Sequence, residues 1–142
     1  MKHLTSFTFT ISTTKHQELI DITHKVLEIV HSSGTRDGFC IVYIPHATAG
    51  IILNESADPN IKTDFLNALN RAIPEHAGYL HDRIDDNAGA HIKSALVGSS
   101  VTIPIKDGDL KLGTWQAIMF CEFDGPRSAR HVIVEICMTN PK

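Results

Sequence analysis

The run Gly38 to Ile44, GFCIVYI, constrains the fold more than any other stretch. It is nearly continuous in apolar, β-forming residues, which is the signature of a strand covered on both faces. The rest of the chain therefore has to supply layers on either side of it. After Pro45-His46 a polar corner, Ala47 to Gly50, returns the chain to a second apolar run, Ile51-Ile52-Leu53, which ends in Asn54-Glu55-Ser56. If these two strands pair, the polar groups at their ends come close together.

Helical signals lie between the strand-like runs. Thr14 and Gln17 have capping-box spacing and predict a helix opening there, with Leu19, Ile22, Val26, Ile29 and Val30 on its apolar side and Gly34 as its stop. Asp58-Pro59 is a strong helix start, followed by Ile61, Phe65, Leu69 and Ile73 until Pro74. Asn87 is the expected cap of a third helix, with Ala88, Ile92, Ala95 and Leu96 as its buried stripe and Gly98 as its stop.

The remaining segments read as strands. A first strand is expected from about Lys2 to Ser12, and another from Ser99 to Ile105, where Pro104 marks an edge or a strand end. Asp107-Gly108 is a hairpin signal that folds Leu110 to Leu112 back on that strand. In Leu112 to Arg130 the residue parity puts Trp115, Ala117, Met119, Cys121 and Phe123 on a core face, and Gln116, Ile118, Phe120 and Glu122 on the other. A last strand runs from Arg130 to Met138. This arrangement predicts an α+β fold, with largely antiparallel sheets packed with about three helices, in a single domain over residues 1–142.

Composition narrows the function classes. A net charge of −3 and a pI near 6.3, without a Lys/Arg block, exclude a nucleic-acid surface from the expectation. No segment approaches membrane-span length, and the first residues lack the apolar run of a signal peptide. Three cysteines, Cys40, Cys121 and Cys137, lie in apolar runs without CxxC spacing, so a reducing cytoplasm is the expected compartment. Of the nine histidines, His16, His24 and His31 are expected on the solvated side of the first helix.

The segments HATAGIILNESADP (His46 to Pro59), NAGAHIKSALVGSS (Asn87 to Ser100) and DGDLKLGTWQAI with EFDGPRSAR (within Asp107 to Arg130) resemble the YjbQ-like family over nearly the whole chain. The spacing from Ser100 through Gly108, Gly113-Thr114-Trp115-Gln116 and Ile118 matches that family's long signature. Two departures are Ala47, where the family usually has threonine, and Gly89-Ala90 before His91. The resemblance implies a small cytoplasmic homotrimer labelled a thiamine-phosphate synthase. That enzyme is a transferase joining a pyrimidine diphosphate to a thiazole phosphate with release of pyrophosphate.

Within the matching segments, His46, His81 and His91 are candidate ligands for a divalent metal, zinc first and magnesium second. Three separately hydrogen-bonded histidines are the alternative. Glu55 and Glu122 are candidate bases, with Gln116 sharing the face of Glu122, while Asp58 is already explained as a helix cap. A carboxylate beside apolar Phe120 needs a partner such as Arg127 or Arg130. Arg127, Arg130 and Lys93 suit the anions of a phosphorylated small molecule, and Asn54, Thr48 and Ser100 can hydrogen-bond a ligand. A metal-dependent hydrolase and a non-catalytic ligand-binding or metal-binding trimer are the competing readings of the same residues.

Overall fold

Residues 4–139 are described by the computed structural model, so Lys2 and His3 of the expected first strand lie outside the described residues. In chain order the strands and helices are β1 (Leu4–Thr13), β2 (Glu18–Asp21), α1 (Thr23–Ser33), β3 (Gly38–Tyr43), β4 (Ala49–Asn54), α2 (Pro59–Ala72), α3 (Ala88–Val97), β5 (Ser100–Lys106), β6 (Asp109–Leu110), β7 (Ala117–Glu122) and β8 (Arg127–Met138). A short 3-10 turn, Leu80–Arg83, precedes α3. The larger sheet has the order β1-β8-β3-β5-β6 and the smaller β2-β7-β4, with antiparallel pairing in both. The fold is α+β, as the sequence predicts.

Two apolar clusters define the layers. The first joins Cys40, Val42, Ile103, Val134 and Ile136 of the larger sheet to Ile51, Ile118 and Phe120 of the smaller one, with Val26 and Val30 of α1. The second joins Met119, Cys121 and Phe123 to Ala90 of α3 and to Phe65, Leu66 and Leu69 of α2. The small sheet is thus sandwiched between the larger sheet and two helices. Every residue of β7 is buried. The strand covered on both faces is therefore β7, not β3, whose Tyr43 and half-buried Phe39 and Ile41 face the open side of the larger sheet.

Four expectations are corrected here. Thr14 and Gln17 open no helix: the Glu18 carboxylate accepts the Thr14 amide at 2.7 Å, the chain enters β2, and α1 begins at Thr23. Its first turn is held by Asp21, which accepts both the amide and the hydroxyl of Thr23. Next, β3 and β4 do not pair, because β7 inserts its own sheet against β4. The helix α3 is rotated relative to its predicted stripe, burying Gly89, Ala90, Lys93 and Ser94 while Ile92 and Leu96 are exposed. Finally, Trp115 precedes β7 in a turn and is 68% exposed, so it does not extend the core face of that strand.

Other local signals hold. Asp58 caps α2 by accepting the Asn60 amide at 2.9 Å, with Pro59 in the first turn. The Asp107-Gly108 turn has positive φ at both residues, 54° and 82°, as a two-residue hairpin of this twist requires.

Candidate functional site

One end of the small sheet is organised by a buried ion pair. Glu122 closes β7 at 0% exposure, and the Arg130 guanidinium from β8 donates to it through both Nε (2.9 Å) and Nη2. The hydroxyl of Thr13 (2.8 Å) and the amide of Asp124 (3.0 Å) also donate to that carboxylate. Burial by itself would raise the Glu122 pKa, but these donors and the arginine charge hold it below the usual glutamate value. A carboxylate with four donors and a lowered pKa is a poor proton acceptor. Glu122 is therefore a strut, and its expected role as general base is set aside on this geometry. Arg130 also donates to Thr48 Oγ1 at 2.9 Å, so this hydroxyl ties the corner before β4 to β8.

Two histidines, His46 and His131, stand beside that strut. Nε2 of His46 accepts the backbone amide of His131 at 2.8 Å, which places the ring proton on Nδ1. Burial, reinforced by the charge of Arg130, pushes the His46 pKa down, so the ring is neutral at pH 7. Its ring stacks on that of His131 at 5.8 Å between centroids. His91 comes from α3 and meets His81 from the 3-10 turn edge-on at 4.7 Å. Nε2 of His81 is shut off from solvent without a hydrogen bond among the described residues, its nearest carboxylate being Asp85 at 3.7 Å. His46 and His91 line one cavity of about 350 Å³, together with Ala47, Ser94, Gly98 and Ser99. The three rings do not, however, form a group of donors within 4.8 Å of one another among the described residues. His46 has its Nε2 committed to β8, and His91 turns toward His81.

The other predicted residues separate. Ala49 lies opposite Glu122 in the β4–β7 register, whereas Asn54 lies opposite Ala117. Five strand steps put Asn54 about 17 Å from Ala49. Glu55 and Gln116 belong to that far end: the Asn54 side chain accepts the Glu55 amide at 2.7 Å, and the Gln116 side chain accepts the Gly113 amide at 2.9 Å. Gln116 and Trp115 border a separate cavity of about 360 Å³ with Asp21 and Ser56. Glu55 and Gln116 are thus not companions of Glu122 within one chain. Arg127 binds Asp124 through Nη2 and Nε, both at 2.9 Å. Lys93 is buried against the inner side of α3, its amine without a hydrogen-bond partner among the described residues, and burial lowers its pKa. Sequence reasoning missed His131 and Thr13. Only the alternation of β8, which turns His131 outward beside Arg130, offered any signal.

Residues 7–139 match the family described as UPF0047 protein YjbQ-like. A UPF0047 protein of Methanocaldococcus jannaschii is 50% identical over 85% of this chain and 86% of its own length. The UPF0047 protein YugU of Bacillus subtilis is 46% identical over 85% of this chain and 91% of its own. Among solved structures, a YbjQ-like protein of unknown function from Sulfolobus solfataricus superposes with a TM-score of 0.92 at 37% identity, covering 95% of this chain and 97% of that one. An uncharacterized YjbQ/UPF0047 protein from Clostridium acetobutylicum gives 0.88 at 46% identity, covering 92% and 98%. These findings overturn the expected thiamine-phosphate synthase and its transferase chemistry. Thiamine-phosphate synthases form a different, TIM-barrel family, and two antiparallel sheets cannot be rearranged into a parallel barrel. The expectation of zinc falls with them, since neither the relatives named here nor the three histidine rings within one chain support it.

Proposed function

Because the chain belongs to the YjbQ-like UPF0047 family, we propose that its working site is the cavity of His46 and His91, and that it takes a small anionic molecule of the phosphate class. The observation that carries this reading is the character of the cavity wall. Imidazoles and hydroxyls line it, no carboxylate does so among the described residues, and the charge of Arg130 is felt at His46. A neutral His46 with its proton on Nδ1 is a hydrogen-bond donor that needs no charge of its own. Arg130 is pinned by Glu122 and Thr48, and its charge acts on His46 more strongly than the opposite charge of Glu122, which leaves the cavity wall at His46 net positive. Calorimetric titration with inorganic phosphate and pyrophosphate tests the reading. His46→Ala and His91→Ala should each weaken binding about tenfold or more, the loss of one charge-assisted or buried hydrogen bond. Equal binding by wild type and both variants would sink it.

The cavity is read as lying at a boundary between copies in a homotrimer. Ile92 and Leu96 of α3, beside Leu80 and Ile84 of the preceding turn, are exposed apolar side chains on the elements that carry His91 and His81. A second reading of the same site is favoured by the unpartnered Nε2 of His81. His81 and His91 would hold a divalent ion with a donor from a neighbouring copy. Metal analysis of the purified assembly, with and without His81→Ala, decides between an ion there and an empty pair. No helix among the described residues is long and apolar enough to cross a membrane. Buried, unpaired Cys40 and Cys121 fit a cytoplasmic setting.

A further inference from the structure

The loop between α2 and α3 carries a group of donors that the histidine cavity does not use. His76, Asp82 and Asp86 each bring a ligand atom to within 4.8 Å of the others, and Nδ1 of His76 stands 3.0 Å from Oδ1 of Asp86. Donors bound to one divalent ion at about 2.1–2.4 Å cannot lie farther apart than twice that length. The group therefore has the span that a single ion requires.

A second observation in the same loop concerns oxygens. Oδ2 of Asp82 and Oδ1 of Asn87 are both shut off from solvent and have no donor among the described residues. In each side chain the other polar atom is already committed. Oδ1 of Asp82 accepts the Ala88 amide at 2.9 Å, capping α3 in place of the predicted Asn87, and Nδ2 of Asn87 donates to Asp124 at 2.9 Å. Neither oxygen can turn away to water without breaking those bonds. A buried acceptor left in this state calls for a cation or a donor to fill it. Both orphan atoms are acceptors, and a hydrogen-bond acceptor of this kind is a ligand for a hard cation.

We propose that His76, Asp82 and Asp86 bind a divalent cation of the manganese class. Carboxylate oxygens with one imidazole suit such an ion, whereas the set contains no thiolate and lacks the several nitrogens that copper or nickel favours. The bound ion holds the loop against the start of α3, and so fixes His81, the neighbour of Asp82 in the chain.

The test uses the full chain stripped with a chelator and titrated with manganese(II) chloride, the free ion being counted by its paramagnetic resonance signal. One ion per chain is expected. Asp82→Asn keeps an oxygen to cap Ala88, and Asp86→Asn suits a residue at φ 57° because asparagine tolerates that region. Each should weaken manganese binding about tenfold or more, with a circular dichroism spectrum matching wild type. Asp109→Asn, an exposed acid elsewhere, should leave binding unchanged. Absence of saturable binding by the stripped wild type overturns the proposal, and so does equal affinity in wild type, Asp82→Asn and Asp86→Asn. Asp86 is exposed, so that variant keeps the test valid even if Asp82→Asn disturbs the helix cap.

Discussion

At the scale of single residues, Glu122 and Arg130 show how a buried pair acts. Removing one partner strands the other charge away from water, so Arg130→Met is expected to lower unfolding stability by about 3–5 kcal/mol. Replacing both by apolar residues of similar volume should cost far less, and guanidinium unfolding of the single and double variants measures the difference. The pH dependence follows from the lowered Glu122 pKa. Its stabilisation is complete above the ordinary glutamate value of 4.5 and is lost as pH falls below that value through the folded-state pKa. Lys93 has the opposite effect, since its buried ammonium lacks a partner and its folded pKa lies below 10.5. Lys93→Met should stabilise the protein by about 1–3 kcal/mol near neutral pH. That gain should shrink as pH rises through the folded pKa of Lys93 toward its unfolded value, which thermal unfolding at a series of pH values would reveal. Sequence reasoning foresaw that the Glu122 carboxylate needs an arginine. It did not foresee that Thr13 and the Asp124 amide fill the remaining lone pairs.

At the scale of elements, the turn from β7 to β8 sets the position of the ion pair. A Cβ on Gly125 would stand 2.1 Å from the Lys15 carbonyl oxygen and 2.9 Å from the Glu122 side chain. Backbone on that side cannot yield as a side-chain tip could. Gly125→Ala is therefore expected to destabilise by about 3 kcal/mol or more, read as a fall in the denaturant midpoint, whereas Gly78→Ala, with open space around it but a φ of 80°, should cost only its backbone strain. The orientation of α3 was hidden from sequence analysis for a related reason. Its Ile92 and Leu96 look like core by period. The small residues Gly89, Ala90 and Ser94 allow the closer approach, however, and Ser94 donates to the Ala49 carbonyl on β4.

At the scale of the whole molecule, the exposed Leu80, Ile84, Ile92 and Leu96 are what a homotrimer would cover. Leu96→Glu together with Ile92→Glu should shift sedimentation from trimer to monomer while the circular dichroism spectrum is retained. A monomeric wild type would remove the trimer from the proposal. The three-layer order also explains why the predicted site residues part company. β4 and β7 run the length of the small sheet, so Asn54, Glu55 and Gln116 stay at one end and Thr48 and Glu122 at the other.

The amino-acid sequence alone determined the α+β class, the antiparallel hairpin at Asp107-Gly108, the Asp58-Pro59 helix start and the family resemblance. Each of these rests on local dihedral preference or on residues in a fixed order. Tertiary structure alone decided which strand has no solvent face, which side of α3 is buried, and which nitrogen of His46 is committed. Those outcomes depend on partners far away in the chain: β7 is enclosed because helices α2 and α3 return to cover its second face, and Nε2 of His46 is taken by an amide 85 residues on. A periodic pattern states that a face is apolar. It cannot state what will arrive to cover it.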